Sequence, residues 1–146
     1  MRAGLSVRYH ETAIKVRFNE VDVFRVAWHG HYVTWMEVGR NELAGRFGLD
    51  AEHICAAGFM APVVLLEVKY LSPARFNEEL RIRTSLRRME TATLEFLTTV
   101  IGQDGRKCAT GRVVHSLTDR DGTLQYSLPP LIRERVDQLL NWQEGE

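Results

Sequence analysis

The sequence predicts an α+β domain in which an antiparallel sheet covers one long helix. Three observations predict it: a helical stripe of apolar residues in the first third, four alternating runs after Pro62, and turn residues between those runs. Helical segments grouped together and followed by hairpin strands argue for an antiparallel sheet rather than a doubly wound parallel one. At 146 residues the chain reads as a single domain over 1–146, with its core at about 12–120 and a C-terminal helix at about 129–142.

Ile14, Val16 and Phe18 alternate with Lys15 and Arg17, the period-two pattern of a half-buried strand. Residues 19–26 lose that alternation and read as a loop. Tyr32, Trp35, Met36, Gly39, Leu43 and Phe47 then fall on one helical stripe. Gly39 in mid-stripe costs about 1 kcal/mol against alanine, which implies close backbone approach there. Gly48 supplies a left-handed cap, and Asp50 caps a second, short helix ending near Gly58. The alternating runs are Val64 to Tyr70, Leu80 to Leu86, Leu94 to Val100 and Ala109 to Leu117, separated by Ser72-Pro73, Gln103-Asp104-Gly105 and Asp121-Gly122. Pro129-Pro130 opens the last helix, with Leu131, Ile132, Val136, Leu139 and Leu140 on one side.

Nineteen basic residues balance nineteen acidic ones. No overall field draws in nucleic acid or an anionic membrane, and a phosphorylated ligand would need a local cluster of Lys and Arg. Cys55 and Cys108 have no metal or redox spacing and read as two reduced thiols. Residues 1–6 lack the apolar core of a signal peptide, and no apolar run approaches the ~18 residues that span a bilayer. A cytoplasmic protein is expected.

The stretch from Val16-Arg17-Phe18 through Asp22 and Val26-Ala27-Trp28-His29-Gly30-His31-Tyr32 resembles the signature of the 4-hydroxybenzoyl-coenzyme A thioesterase family, including its short-chain acyl-coenzyme A members. Val68-Lys69-Tyr70-Leu71-Ser72-Pro73 resembles the family's strand and proline turn. The resemblance implies a hot-dog fold, a long helix wrapped by an antiparallel sheet, working as a homodimer or homotetramer with active sites between subunits. It implies hydrolysis of an acyl- or aroyl-coenzyme A, or of the same thioester on an acyl carrier protein, with no cofactor. His31 stands where the family often has Asn before the helix Tyr.

By that resemblance Asp22 is the catalytic carboxylate, attacking the thioester or activating a water. Val21, Val23, Phe24 and Trp28 around it suggest a partly apolar pocket that would make it a stronger base. The amide of His29 or Gly30, at the start of the Tyr32 helix, would hold the oxyanion. The His29 side chain would hold the carbonyl or orient Asp22. Trp28, Tyr32, Met60, Ala61, Pro62 and Val63 are expected to line the substrate, with Arg87 and Arg88 meeting the nucleotide and Arg75 or Arg106-Lys107 as alternatives. Glu20 reads as solvated or paired with Arg17 or Arg25, and Glu37 as an ion pair with Arg40. His115 reads as a satisfied core or interface histidine. His29 and His31 find no third ligand at a metal-binding spacing. An enoyl-thioester hydratase or dehydratase and a non-catalytic acyl-thioester-binding module are the other readings of the same fold.

Overall fold

The computed structural model describes residues 8–145, so the segment read for a signal peptide lies outside them. The elements run β1 (His10–Lys15), a 3₁₀ turn (Phe18–Glu20), α1 (His31–Arg46), α2 (Ala51–Ala56), β2 (Phe59–Met60), β3 (Val63–Tyr70), β4 (Glu79–Arg87), β5 (Thr93–Ile101), β6 (Lys107–Ser116), β7 (Thr118–Asp119) and α3 (Pro130–Gln143). Five strands form one sheet in the order β1-β4-β5-β6-β3, every pair antiparallel. The two short strands β2 and β7 pair separately.

The sheet wraps α1, which packs on β1, β4 and β5. This is the hot-dog arrangement. Two glycines permit the close approach. A Cβ on Gly39 of α1 would lie 2.6 Å from Thr84 Oγ1, and one on Gly111 of β6 would lie 2.2 Å from Met36 Cε. The expected stripe is borne out: Tyr32, Trp35, Met36, Gly39 and Leu43 are all buried. Leu80, Ile82, Thr84 and Leu86 on β4, with Leu94, Phe96, Thr98 and Val100 on β5, face the helix as their alternation requires.

Two core clusters result. One joins Tyr32 and Trp35 to Val16, Leu80, Ile82, Val100 and Ala109, beneath the start of α1. The other joins Leu43 and Leu49 to Phe96 and Leu117 and to Ile132, Val136, Leu139 and Leu140 of α3.

Four details differ from expectation. β1 ends at Lys15, and Phe18 is exposed in the 3₁₀ turn rather than continuing the strand. Asp50 stands at the N-cap of α2 but makes no cap hydrogen bond, because its Oδ1 meets His53 Nδ1 at 2.5 Å. Leu131 is exposed, off the buried side of α3. On β3, Val64, Leu66 and Tyr70 alternate as expected yet are exposed, because β3 is an edge strand paired only with β6.

Candidate active site

The site is built at the start of α1. Residues 21–27 form a small hairpin closed by the Val21–Ala27 bridge and by Asp22 N–H donating to Val26 O at 3.0 Å. Arg25 takes a left-handed φ of 62° at its tip. The Ala27 N–H donates to Ala74 O at 2.8 Å, and Val26 bridges Arg75, so the proline turn before β4 supports the hairpin.

Glu20 fixes this hairpin to the helix. Of the readings of its side chain, pairing with Arg17 holds and solvation does not: the residue is 2% exposed. The carboxylate accepts from Arg17 N at 2.8 Å and from Trp35 Nε1 of α1 at 3.1 Å, with the Arg17 guanidinium 3.4 Å away. Burial pushes its pKa up, but these hydrogen bonds outweigh that and hold it below the ordinary carboxylate value. Its backbone oxygen accepts from Trp28 N at 2.9 Å.

Asp22 lies on the hairpin with one oxygen committed: Oδ1 accepts from Phe24 N at 2.8 Å, an Asx turn. Its Oδ2 has no hydrogen-bond partner among the described residues. The expected apolar pocket is not formed within the chain. Val23 is 91% and Phe24 79% exposed, and Asp22 itself is exposed.

At the helix start, Gly30 is the N-cap and His31 N already donates to Trp28 O at 3.0 Å. The amides of His29 and Gly30 have no partner among the described residues. They remain available to an anion, next to the positive end of a 16-residue helix. The Trp28 ring lies over Gly30, where a Cβ would come within 2.1 Å of it. Tyr70 Oη donates to His29 O at 2.7 Å and so fixes the peptide that presents the Gly30 amide. The Tyr32 hydroxyl accepts from Ala74 N at 2.9 Å, and Tyr32, His29 and Tyr70 share a cleft of about 280 Å³ with Leu71, Ser72 and Pro73.

Asp22, Trp28, His29, Gly30 and Tyr32 are thus brought to one end of the molecule. Met60 and Ala61 line a cavity of about 240 Å³ beside α2, and Val63 lines a smaller one of about 100 Å³ along α1; Pro62 lines neither. Arg87 and Arg88 lie elsewhere. They close the far end of β4, a strand that begins at Glu79 near the Ala74 turn and spans roughly 27 Å. Arg87 is paired with buried Glu95 at 3.0 Å and Arg88 with Glu144 at 2.7 Å. Arg106 is spent as well, bonding Glu78, Asp104, Ser72 and the Pro73 carbonyl, and its guanidinium holds Glu78 below the ordinary carboxylate pKa. Arg25 at the hairpin tip and Arg75, bridged to Val26, have side chains without an ion pair among the described residues. Glu37 forms the expected pair with Arg40, at 2.6 and 3.3 Å.

The family model of the thioesterase-like superfamily matches residues 16–137. The chain belongs to that superfamily. Among thioesterase-like relatives, a Synechocystis protein provisionally named an esterase is 27% identical over 138 residues, 93% of this chain and 83% of the relative. A Bacillus subtilis protein provisionally named an acyl-CoA thioesterase is 32% identical over 71 residues, 49% of this chain and 51% of that protein. The DHNA-CoA thioesterase of Staphylococcus aureus has the same fold, with a TM-score of 0.80 at 22% identity over 94% of this chain and 95% of that one.

Sequence reasoning missed Glu20 as the anchor of this superfamily member's hairpin. The signal was present in Arg17 three residues before it, the spacing of a capping pair, and in the lone indole donor of Trp35.

Proposed function

We propose that this chain hydrolyses acyl-coenzyme A thioesters, with Asp22 as the reacting carboxylate and the His29 and Gly30 amides as the oxyanion hole. One observation carries the reading. A carboxylate oxygen without a partner and two amides without partners belong to a single loop, pinned by Glu20 and Tyr70 to the start of α1. The names of the relatives, esterase and acyl-CoA thioesterase, both describe transfer of an acyl group to water.

The chemistry needs few parts. The thioester oxygen gains negative charge as the carbonyl is attacked, and fixed N–H donors lower the energy of that state; losing one such donor typically costs on the order of 10²–10³ in rate. Asp22 either takes a proton from the attacking water or adds to the carbonyl itself. The C–S bond then breaks and the departing thiolate takes up a proton; where Asp22 itself has added, water opens the resulting acyl-aspartyl anhydride to give the free acid and restore the carboxylate. Arg25 in the loop and Arg75 beside it, neither ion-paired among the described residues, offer guanidinium groups for the phosphates of coenzyme A.

The working unit is a homodimer formed through β3. Among the described residues its outer edge pairs with no strand, and Val64, Leu66, Tyr70 and Leu71 on and just after it are exposed, as are Val23, Phe24 and Phe18 in and before the hairpin. Exposed apolar side chains on a bare strand edge suit a second sheet, and a partner that also reached the hairpin would cover Asp22.

The test is thiol release from short, medium and long-chain and benzoyl coenzyme A esters by wild type and Asp22→Asn, with mass measured by light scattering. Wild type should hydrolyse at least one ester as an oligomer, and Asp22→Asn should fall at least a hundredfold while melting at a similar temperature. An Asp22→Asn variant with full activity would defeat the assignment and turn attention to Glu37. A fully active monomer would defeat the dimer.

A further inference from the structure

His115 of β6 lines the 240 Å³ cavity between α1, α2 and the sheet, together with Arg40, Met60, Ala61, Leu94 and Phe96. It is 4% exposed. Its Nδ1 lies 2.8 Å from the Ala61 carbonyl, which can only accept, so the ring proton sits on Nδ1. Nε2 is then an acceptor, buried and without any partner among the described residues. Burial holds the imidazole below its ordinary pKa and Arg40 adds to that, against the smaller opposing pull of the Ala61 carbonyl and Glu37. The ring therefore stays neutral and keeps its lone pair. A buried acceptor without a donor is a cost that native folds rarely leave standing.

A second cavity adjoins this place. Val33, Met36, Glu37 and Arg40, at helical spacing i, i+3, i+4 and i+7, line the smaller cavity along α1, and Arg40 and Phe96 are walls common to both cavities. At 1.5 Å per residue, Arg40 lies about 14 Å along α1 from His31, the reach of an extended chain of roughly ten carbons.

Resting on the thioesterase reading, we propose that the acyl chain runs along α1 and that His115 Nε2 accepts a hydrogen bond from a hydroxyl near its far end. The substrate class is hydroxylated medium-chain acyl thioesters in preference to plain ones. A terminal carboxylate does not fit, because it brings no proton for Nε2 and Arg40 is already paired with Glu37 through two hydrogen bonds. A ketone brings no proton either.

The experiment compares kcat/KM for decanoyl-coenzyme A with its ω-hydroxylated and mid-chain-hydroxylated counterparts. Wild type should favour one hydroxylated ester by roughly ten- to a hundredfold, and His115→Leu should bring that ratio close to one. Equal turnover of plain and hydroxylated esters by wild type overturns the proposal, as does a preference that survives in His115→Leu. The wild-type ratio stands even if the variant fails to fold. Turnover of the plain ester without preference leaves the thioesterase reading intact. If no ester is turned over, calorimetric binding of hydroxydecanoic and decanoic acids to the wild-type protein decides instead: tenfold tighter binding of the hydroxy acid supports the subsite, and equal binding overturns it.

Discussion

Replacing Glu20 by Gln tests whether a buried carboxylate holds the catalytic loop. The residue is nearly inaccessible and accepts two N–H bonds, from Arg17 N and from Trp35 Nε1, with the Arg17 guanidinium beside it. A Gln of the same shape offers one acceptor oxygen and turns an NH₂ group toward the other donor. Arg17 N and Trp35 Nε1 cannot both keep an acceptor, so one N–H in this nearly inaccessible place loses its partner. An unpaired buried donor costs about 1–3 kcal/mol, and charge-assisted hydrogen bonds are worth more than neutral ones, so Glu20→Gln should lose about 2 kcal/mol. For a domain of this size that is a fall in Tm of roughly 4–8 °C. The pH dependence gives a second handle. The folded-state pKa of Glu20 is lowered, so its contribution is complete above the ordinary Glu value and is lost as pH falls through the folded value. The gap between wild type and Glu20→Gln should therefore be constant around neutrality and shrink in acid below the ordinary Glu pKa. Urea unfolding of both proteins from neutral pH into that acid range measures it. A gap that is absent at neutral pH, or that widens in acid, refutes the reasoning.

Two further substitutions probe the same frame. Gly30→Ala places a methyl where the Trp28 ring now lies, so the half-exposed ring must swing out and the oxyanion amides shift with it; kcat/KM for the preferred ester should fall on the order of 10–100-fold with little change in Tm, and unchanged kinetics would remove Trp28 and Gly30 from the site. Gln143→Ala removes a side-chain amide that bonds both Leu86 N and Leu86 O, at 2.6 and 2.8 Å, just past the last β1–β4 pair at His10 and Thr84. Leaving those two buried backbone groups unpaired should cost about 2–4 kcal/mol, seen as a lower midpoint in thermal unfolding.

The parts of the fold that were legible in the sequence are those where one chain supplies both sides of a contact. β4 and β5 are central strands with one face on α1, so their alternation maps directly onto burial. The stripe from Tyr32 to Leu43 is buried by the same sheet. Pattern misled where the backbone turned or the partner was missing. Val16 and Phe18 continue a period of two, but the chain leaves the sheet at Arg17 because Glu20 captures its amide. β2 and β7 have two residues each, too few to show a period. Arg87, Arg88 and Arg106 look alike as basic residues near turns, yet each guanidinium is claimed by a carboxylate that lies 8 to 56 positions away in the chain, which no local reading detects.

Asp22 is the instructive case. The apolar residues around it in sequence argue for a sheltered carboxylate, and the chain instead exposes Val23 and Phe24 while ordering the backbone beneath them. An ordered hairpin tip with two large apolar side chains in water is costly, at roughly 1.5–3 kcal/mol of unrealised burial for each. The same chain leaves Val64 and Leu66 exposed on β3, whose outer edge has no strand beside it among the described residues. Under the proposed pairing a single event removes both costs. A second sheet docking on β3 shelters the hairpin and, with it, the free oxygen of Asp22. Activity and self-association should then rise and fall together as the protein is diluted, which ties the shelter of the carboxylate to a dissociation constant rather than to any residue within one chain.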